Sequence, residues 1–441
     1  MAVAKARLIE PLKRMAVDLT PSALVIGGGM AGMASALNLA DQGFEVSLVE
    51  KSERLGGIAN RIHRTINGGD VQAYLHQQID RITNHPKIRV HLGSRVVDSS
   101  GYVGNFVTRL NVGNGTEEEI RHGVTILAIG GQEFKPEEYY YGKDERVLTG
   151  LELEEGLALH PERYANCDNV VMIQCVGSRN EEHPWCSRVC CAKSVKNALR
   201  LKELNPEMNI YILYRDMRTY GLMEDFFNEA REKGIVFLRF DPEDSPVVTK
   251  VRGHGKDLLQ VEIKDALLGE RFAIDTDLLQ LATAVLPPED NKVLSQFYKV
   301  PINQDGFFLE AHMKLRPVDF ATEGVYLCGL CHNPKSIEES ISQANAAASR
   351  ASTILSKEKL ETEGAIAYID KDLCVGCRGC LDVCPYTAIS YVDEKAKCEV
   401  NEVLCKGCGG CAATCSSGSI ALRGFRFDQI YAQIEKAFET M

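Results

Sequence analysis

Sixteen cysteines in a chain of 441 residues are the first sign of chemistry. Eight fall into two matching runs. Cys374-x2-Cys377-x2-Cys380-x3-Cys384-Pro385 recurs 31 residues later as Cys405-x2-Cys408-x2-Cys411-x3-Cys415. A CxxCxxC loop wraps three irons of a cubane, and the fourth cysteine of each run crosses to the other cluster. The spacing therefore predicts one 4Fe-4S centre on Cys374, Cys377, Cys380 and Cys415, and a second on Cys405, Cys408, Cys411 and Cys384. Zinc also takes thiolates, but not in this doubled spacing. Ser416 stands where a proline is usual after the second run, and Cys398 lies outside both runs and reads as incidental.

A third set, Cys175, Cys186, Cys190 and Cys191, lies within 17 residues at the head of a predicted helix. Soft thiolates at such spacing suit an iron–sulfur cluster or zinc. Buried free cysteines with one dithiol pair are the other reading. Adjacent cysteines pair with each other poorly.

The elements that must position these groups start at Val25-Ile26-Gly27-Gly28-Gly29-Met30-Ala31-Gly32. An apolar run precedes this turn, and an alanine-rich helical stretch follows. A second apolar run, Val46 to Val49, ends at Glu50. Gly27 permits the tight turn, Gly29 lets the backbone approach a pyrophosphate, and Gly32 lets helix and strand pack. Met30 and Ala31 open the helix whose N-terminus faces the phosphates. Glu50 can accept a ribose hydroxyl. Glu50-Lys51 leads into a second close turn at Gly56-Gly57, which favours FAD over NAD. Val96 and Val97 stand where adenine contacts are expected. Val124 to Ile129 is a buried strand ending at Gly130-Gly131, and Gly324 to Gly329 is a later one. Ser336 to Leu355 reads as a helix whose N-terminus, at Ser336 and Ile337, points at the flavin. Leu330 replaces the aspartate that many flavoproteins of this fold place after the glycine. Lys335 is a candidate for charge near the flavin, or else a first-turn surface lysine.

A second strand–helix unit starts at Asn169, with strands predicted at 170–173 and 210–214 and a helix at 194–204. Its turn, Gln174-Cys175-Val176-Gly177-Ser178-Arg179, has no GxGxxG and runs into a charged, cysteine-bearing insertion. That weighs against nicotinamide binding. Cys328-Gly329-Leu330-Cys331-His332 matches the c-type haem motif. Its place at a strand end beside a flavin makes a redox dithiol or a pair of buried inert thiols better readings.

The length suggests about three domains. A formal net charge of −11 argues against nucleic acid. No signal peptide and no apolar stretch of about 18 residues stands out. The expectation is a reducing, anaerobic cytoplasm, with membrane association only through partners. Residues 1–20 read as an amphipathic helix with Leu8, Leu12, Met15 and Leu19 on one side. Residues 21–166 and 287–356 read as a discontinuous FAD domain, and 167–286 as a second Rossmann-like domain carrying the cysteine set. Residues 357–364 read as a charged linker, 364–424 as the ferredoxin domain and 425–441 as a closing helix.

Several segments together resemble the A subunit of heterodisulfide reductase and its relatives in sulfate reducers. They are Arg14-Met15-Ala16-Val17, Gly101-Tyr102-Val103-Gly104-Asn105-Phe106, Cys175 to Arg179, Cys186-Ser187-Arg188-Val189-Cys190-Cys191, Leu315-Arg316-Pro317-Val318-Asp319 and Pro334-Lys335-Ser336-Ile337, with the ferredoxin tail. The resemblance implies an α/β, thioredoxin-reductase-like flavoprotein fold with two dinucleotide-binding domains and a two-cluster ferredoxin domain. It implies FAD and a third 4Fe-4S cluster on Cys175, Cys186, Cys190 and Cys191. It implies partner subunits of a heterodisulfide-reductase-like complex, ferredoxin, and a hydrogenase or formate dehydrogenase module, and it admits a homodimer of that complex. Electron relay is the implied function. Some members also bifurcate electron pairs at FAD. Longer members carry an extra N-terminal domain and an inserted ferredoxin module after the segment matching Asn105-Phe106, so this chain reads as a short form or a fragment. The rival readings are a self-contained pyridine-nucleotide-dependent flavin disulfide oxidoreductase and an assembly scaffold with an inert flavin.

Overall fold

The computed structural model describes residues 1–12, 16–113, 115–253, 256–361 and 364–438. Two parallel five-stranded sheets carry the molecule. The first has strand order 325–327, 124–127, 22–26, 45–49, 88–91. Its central strand, Ser22–Ile26, is apolar and buried because helices cover one face and an antiparallel sheet the other. On the helical face, Met30–Asp41 packs against Ile337–Leu355. Ala36 and Ala40 on one and Ala344, Ala347, Ala348 and Ala351 on the other are all buried, and these small side chains let the backbones approach. On the other face lies the meander Arg95–Tyr102, Asn105–Asn111, Glu117–His122.

The second sheet has the order 147–149, 278–283, 169–176, 209–214, 236–239. It is backed by helices Gly150–Leu159 and Cys190–Leu204 and by a three-stranded antiparallel sheet. Two expectations change here. Val147–Thr149 pairs with Leu278–Thr283, so this unit begins some twenty residues before position 167. The cause is a parallel pairing with residues 132 positions further on, which local patterning does not report. The helix begins at Cys190 rather than Ser194, which puts two of the cysteines in its first turn.

The N-terminal segment is not one helix over 1–20. Ala2–Ala6 is helical, and Ala16–Asp18 is a strand paired with Lys359–Glu361. Pro11 and the distant partner override the helical period. Lys13, Arg14 and Met15 lie outside the described residues. The expected linker at 357–364 thus supplies a strand. The closing helix runs Phe427–Phe438, with 439–441 outside the described residues. It meets the N-terminal segment through Gln429 Nε2, which donates to Leu8 O at 2.9 Å, and through an Arg426–Glu10 ion pair at 2.8 Å. No helix among the described residues is long and apolar enough to cross a membrane.

His122 locks the meander to the sheet. Its Nδ1 lies 2.9 Å from Val124 O and so donates there, leaving Nε2 to accept from Thr108 Oγ1 at 2.9 Å. Thr108 in turn meets the Tyr298 hydroxyl at 2.9 Å, and the Phe106 ring stacks on the imidazole at 5.6 Å. Burial pushes His122 down to about 4, against the opposing pull of its bond to Val124. The unfolded chain, near 6.5, therefore takes up this proton first as pH falls. Stability is expected to drop from about pH 6.5 towards about pH 4, at roughly 1.4 kcal/mol per pH unit at most for this one group. Thermal unfolding of the His122→Gln variant between pH 6.5 and 5 should show a shallower acid slope than the parent chain. Equal slopes would remove His122 as the cause.

Candidate functional site

The glycine turn after Ser22–Ile26 opens onto a cavity of about 1350 Å³ at the C-terminal ends of the strands, where the strand order reverses on either side of 22–26. Gly27 has φ +109°, and a Cβ on Gly32 would stand 1.7 Å from Gly27 O, so the turn and the helix touch backbone to backbone. A Cβ on Gly29 would meet no protein atom within 4 Å, because that position faces the cavity. Glu50 is buried. Its Oε2 accepts from Gly28 N at 2.6 Å, and its Oε1 accepts from Ser52 N at 2.8 Å and Ser52 Oγ at 2.7 Å. The carboxylate is thereby fixed at the cavity wall with lone pairs left for ribose hydroxyls.

Gly27, Gly29, Met30, Ala31, Glu50, Lys51, Gly56, Gly57, Val96, Gly130, Gly329, Lys335, Ser336 and Ile337 all line this one cavity, and Gly32 stands just behind it. Lys51 is at the rim, paired with Asp290 at 2.8 Å. Ser336 caps the helix Ile337–Leu355 in a capping box with Glu339, so the positive helix end opens into the cavity. Lys335 is not a surface lysine. It is 8 % exposed, and its Nζ donates to Gly329 O at 2.7 Å and Asn333 O at 2.8 Å. Burial pushes its ammonium down to about 8. A glycine turn with open space before it, a fixed carboxylate and a helix N-terminus together fit FAD.

The cysteine insertion closes the far wall. Arg188, Val189, Ala192, Lys193 and Lys196 line the same cavity. Arg188 donates to Pro334 O at 3.1 Å, to the Tyr220 hydroxyl at 3.1 Å and to Glu339 at 2.7 Å, which ties the insertion to the head of the flavin-facing helix. Lys193 is drawn down by burial, and Lys196 pairs with Glu154 at 2.6 Å. The sequence reading missed these three side chains. Lys193 and Lys196 fall three and six residues after Cys190, a spacing on the helix that could have drawn attention to them.

The four middle cysteines come together. Cys190 is pushed well above the usual thiol range by its hydrogen bond with Cys191, by full burial and by the nearby Cys191, Cys175 and Cys186 sulfurs. Cys191 is brought down to about 7, first by that same bond and then by Arg218 and Arg179 against the cost of burial. Cys186 Sγ accepts from Arg188 N at 3.3 Å. Cys175, Arg179 and Arg188 all hold left-handed backbone, with φ of +63°, +58° and +56°. Such strain in non-glycine residues concentrates at functional sites. The set fits a four-thiolate cluster. Among the described residues no three His, Cys, Asp or Glu side chains close on a single ion.

The nicotinamide turn is filled. A Cβ on Gly177 would stand 2.2 Å from the Phe134 ring, and His183 Nδ1 reaches Gly177 O at 2.9 Å. Cys328 and Cys331 are both fully buried, and burial pushes their thiols up, Cys331 to about 11. Inert thiols therefore fit better than a redox dithiol. His332 is held by Glu310 and Gln343, each at 2.8 Å.

In the tail, Cys411 is pushed up by burial and by the neighbouring Cys405, Cys384 and Cys408 sulfurs, the members of one expected set. Cys374 is lowered by backbone donors from Cys398 and Gly376 and feels Cys415 of its own expected set. Cys405 accepts from Ala367 N at 3.2 Å and Cys384 from Ala388 N at 3.3 Å. Cys415 comes down to about 7, since donors from Ser417 and Ser419 outweigh its burial. Burial, and then the Cys398 thiol beside it, push Cys380 up to about 12, so Cys398 is a neighbour of that set rather than incidental.

The pyridine nucleotide-disulphide oxidoreductase family matches residues 21–173, and the 4Fe-4S dicluster domain matches 356–419. The second iron–sulfur A subunit of CoB–CoM heterodisulfide reductase from Methanopyrus kandleri is 34% identical over 99% of this chain and 80% of its own length. The chain belongs to the heterodisulfide reductase A-subunit family. The A subunit of H2:CoB–CoM heterodisulfide,ferredoxin reductase from Methanothermobacter thermautotrophicus is also 34% identical, over 99% of this chain and 79% of its own. That match runs to 532 positions against 441 residues here, so the relative carries internal segments that this family member lacks. The fold is that of thioredoxin reductase from T. acidophilum, with a TM-score of 0.51 at 17% identity over 75% of this chain and 97% of that one. This heterodisulfide reductase family member is thus an oxidoreductase subunit with a flavin-type α/β body and a two-cluster tail.

Two glycine variants separate packing from cofactor contact. Gly32→Ala forces the turn apart at an overpacking cost of about 1–3 kcal/mol. It should lower both stability and FAD retention, the latter roughly 10- to 100-fold. Gly29→Ala should keep the parent melting temperature of the FAD-free chain and yet lose FAD, read from flavin absorbance after gel filtration. Full FAD retention in Gly29→Ala would place the phosphates elsewhere.

Proposed function

We propose that this chain is the FAD- and iron–sulfur-bearing electron-transfer subunit of a heterodisulfide-reductase-like complex, with one FAD and three 4Fe-4S clusters. Two clusters sit on the tail cysteines, and the third on Cys175, Cys186, Cys190 and Cys191. The observation that carries the reading is that Cys175 and Cys186 stand beside Cys190 and Cys191 in the first turn of the helix Cys190–Leu204, whose Ala192, Lys193 and Lys196 form the wall of the flavin cavity. When bound, FAD supplies exchange between a two-electron donor and one-electron carriers, and the clusters supply the one-electron path.

The chain's own residues bind and orient. Gly29 gives the phosphates close access, Glu50 takes the ribose, and the helix end at Ser336 with Lys335 places positive charge in the cavity. Arg188 holds the cysteine insertion at a fixed place relative to that helix end. No side-chain base or nucleophile is required. Partner subunits, ferredoxin and a hydrogenase or formate dehydrogenase module are the proposed donors and acceptors. They are supported by relatives named as A subunits of H2- or H2/formate-dependent heterodisulfide,ferredoxin reductases. Flavin-based bifurcation is the extension of this reading, set in a reducing cytoplasm.

Two experiments test it. Anoxically isolated protein should hold about twelve irons and one FAD per chain, and Cys190→Ala should lose about four irons while keeping FAD and slowing flavin-to-partner transfer sharply. An unchanged transfer rate in that variant would make the centre structural, and about eight irons in the parent would remove it. The rival nicotinamide-dependent reading is opposed by the Phe134-filled turn. Calorimetry should find neither NADH nor NADPH bound in the micromolar range, and binding there would revive the rival.

A further inference from the structure

After the second strand of a dinucleotide-binding unit, an acidic residue commonly takes a ribose hydroxyl, or an arginine takes a 2′-phosphate. Here that strand, Asn209–Tyr214, is followed by Arg215-Asp216-Met217-Arg218. These residues are engaged with the cysteine set instead. Arg215 Nη1 donates to Arg179 O at 2.7 Å, and Arg179 Nη2 pairs with Asp216 Oδ2 at 2.7 Å. The Arg179 and Arg215 guanidiniums both flank the Cys175 thiol. Cys191 Sγ lies 3.8 Å from Asp216 O and receives the Arg218 backbone N–H.

Two donors in this ring are left over. Arg179 Nη1 and Arg215 Nε are out of contact with solvent and have no partner among the described residues. Both amide atoms of Gln174, next to Cys175 and 2 % exposed, are also without one. A buried donor without an acceptor costs about 1–3 kcal/mol, and more when it is charged. Three such donors, two guanidinium nitrogens and Gln174 Nε2, beside one group of thiols call for an anionic acceptor among them. A nucleotide phosphate does not fit, because the pyrophosphate turn is blocked by Phe134.

We propose that Arg179 and Arg215 donate to the sulfurs of the 4Fe-4S cluster on Cys175, Cys186, Cys190 and Cys191 and raise its reduction potential. The proposal rests on the three-cluster reading above. Reduction adds an electron to a cluster that is already anionic, so a neighbouring guanidinium stabilises the reduced form more than the oxidised one. Asp216 offsets part of the Arg179 charge, whereas Arg215 makes its bond to a carbonyl, so Arg215 is the stronger lever.

The test compares the parent chain with Arg215→Met and Arg215→Lys, all isolated anoxically, by iron analysis and by redox titration followed by electron paramagnetic resonance. Arg215→Met is expected to keep about twelve irons. Its third-cluster midpoint should fall by about 59 mV, a tenfold loss in electron affinity for one electron. The tail-cluster midpoints should not move, and Arg215→Lys should retain most of the parent value. An unmoved midpoint with the cluster present overturns the proposal alone. Loss of four irons in both variants also overturns it, by assigning Arg215 to assembly. A parent chain with about eight irons overturns the three-cluster reading itself, and the donor role with it.

Discussion

The Arg188 guanidinium decides how the two dinucleotide-type units face each other. It reaches from the cysteine insertion of the second unit to Pro334 O and Glu339 at the head of the flavin-facing helix. Its neighbours anchor the insertion within the second unit, since Ser187 Oγ accepts from Val285 N at 2.9 Å and Trp185 Nε1 donates to Val285 O at 3.0 Å. The Trp185 ring then packs edge-on against Phe307. With a charge-assisted contact at its centre and an aromatic contact behind it, the seam resists the relative rotation that two separate domains would otherwise have. A redox group on the cysteines would therefore keep a constant separation from the flavin cavity.

The cavity wall also holds three buried or half-buried lysines. Lys335, Lys193 and Lys196 are all held below the usual ammonium range, chiefly by burial. Among the described residues Lys196 has the Glu154 carboxylate, while Lys335 has only carbonyl oxygens as hydrogen-bond partners. An anionic ligand would raise them again and gain from their positive charge, as a pyrophosphate-bearing cofactor does. Glu50, tied to two backbone N–H groups, keeps its acceptor role without adding a free negative charge to the phosphate path.

What was legible in the sequence was what depends on short spacing. The tail cysteines, the Gly27 to Gly32 turn and the Ser336 helix start are local patterns, and the glycine turn and the helix start open onto one cavity. What was not legible depends on distant partners. Ala16–Asp18 follows a helical period in isolation but finds Lys359–Glu361 to pair with. Val147–Thr149 falls within the first unit by sequence until Leu278–Thr283 lies beside it. Lys193 and Lys196 look like ordinary helix-surface charge, because nothing in their own neighbourhood reveals that their face of the helix turns towards a cavity. The role of Arg188 was hidden for the same reason. Its three acceptors come from two separate parts of the chain, 32 to 151 residues away.

The pairing of Ala16–Asp18 with Lys359–Glu361 joins the start of the chain to the root of the ferredoxin module. During synthesis the first strand emerges early and has no partner until more than three hundred residues have followed. The two parallel sheets can form meanwhile, since domains fold as units in order of emergence. The clasp of Gln429 on Leu8 forms after both sheets are complete. When the tail cysteines emerge, then, both sheets of the flavin body are already complete and the tail is still unfastened, which leaves those cysteines accessible to cluster delivery until Gln429 and Arg426 close on the N-terminal segment.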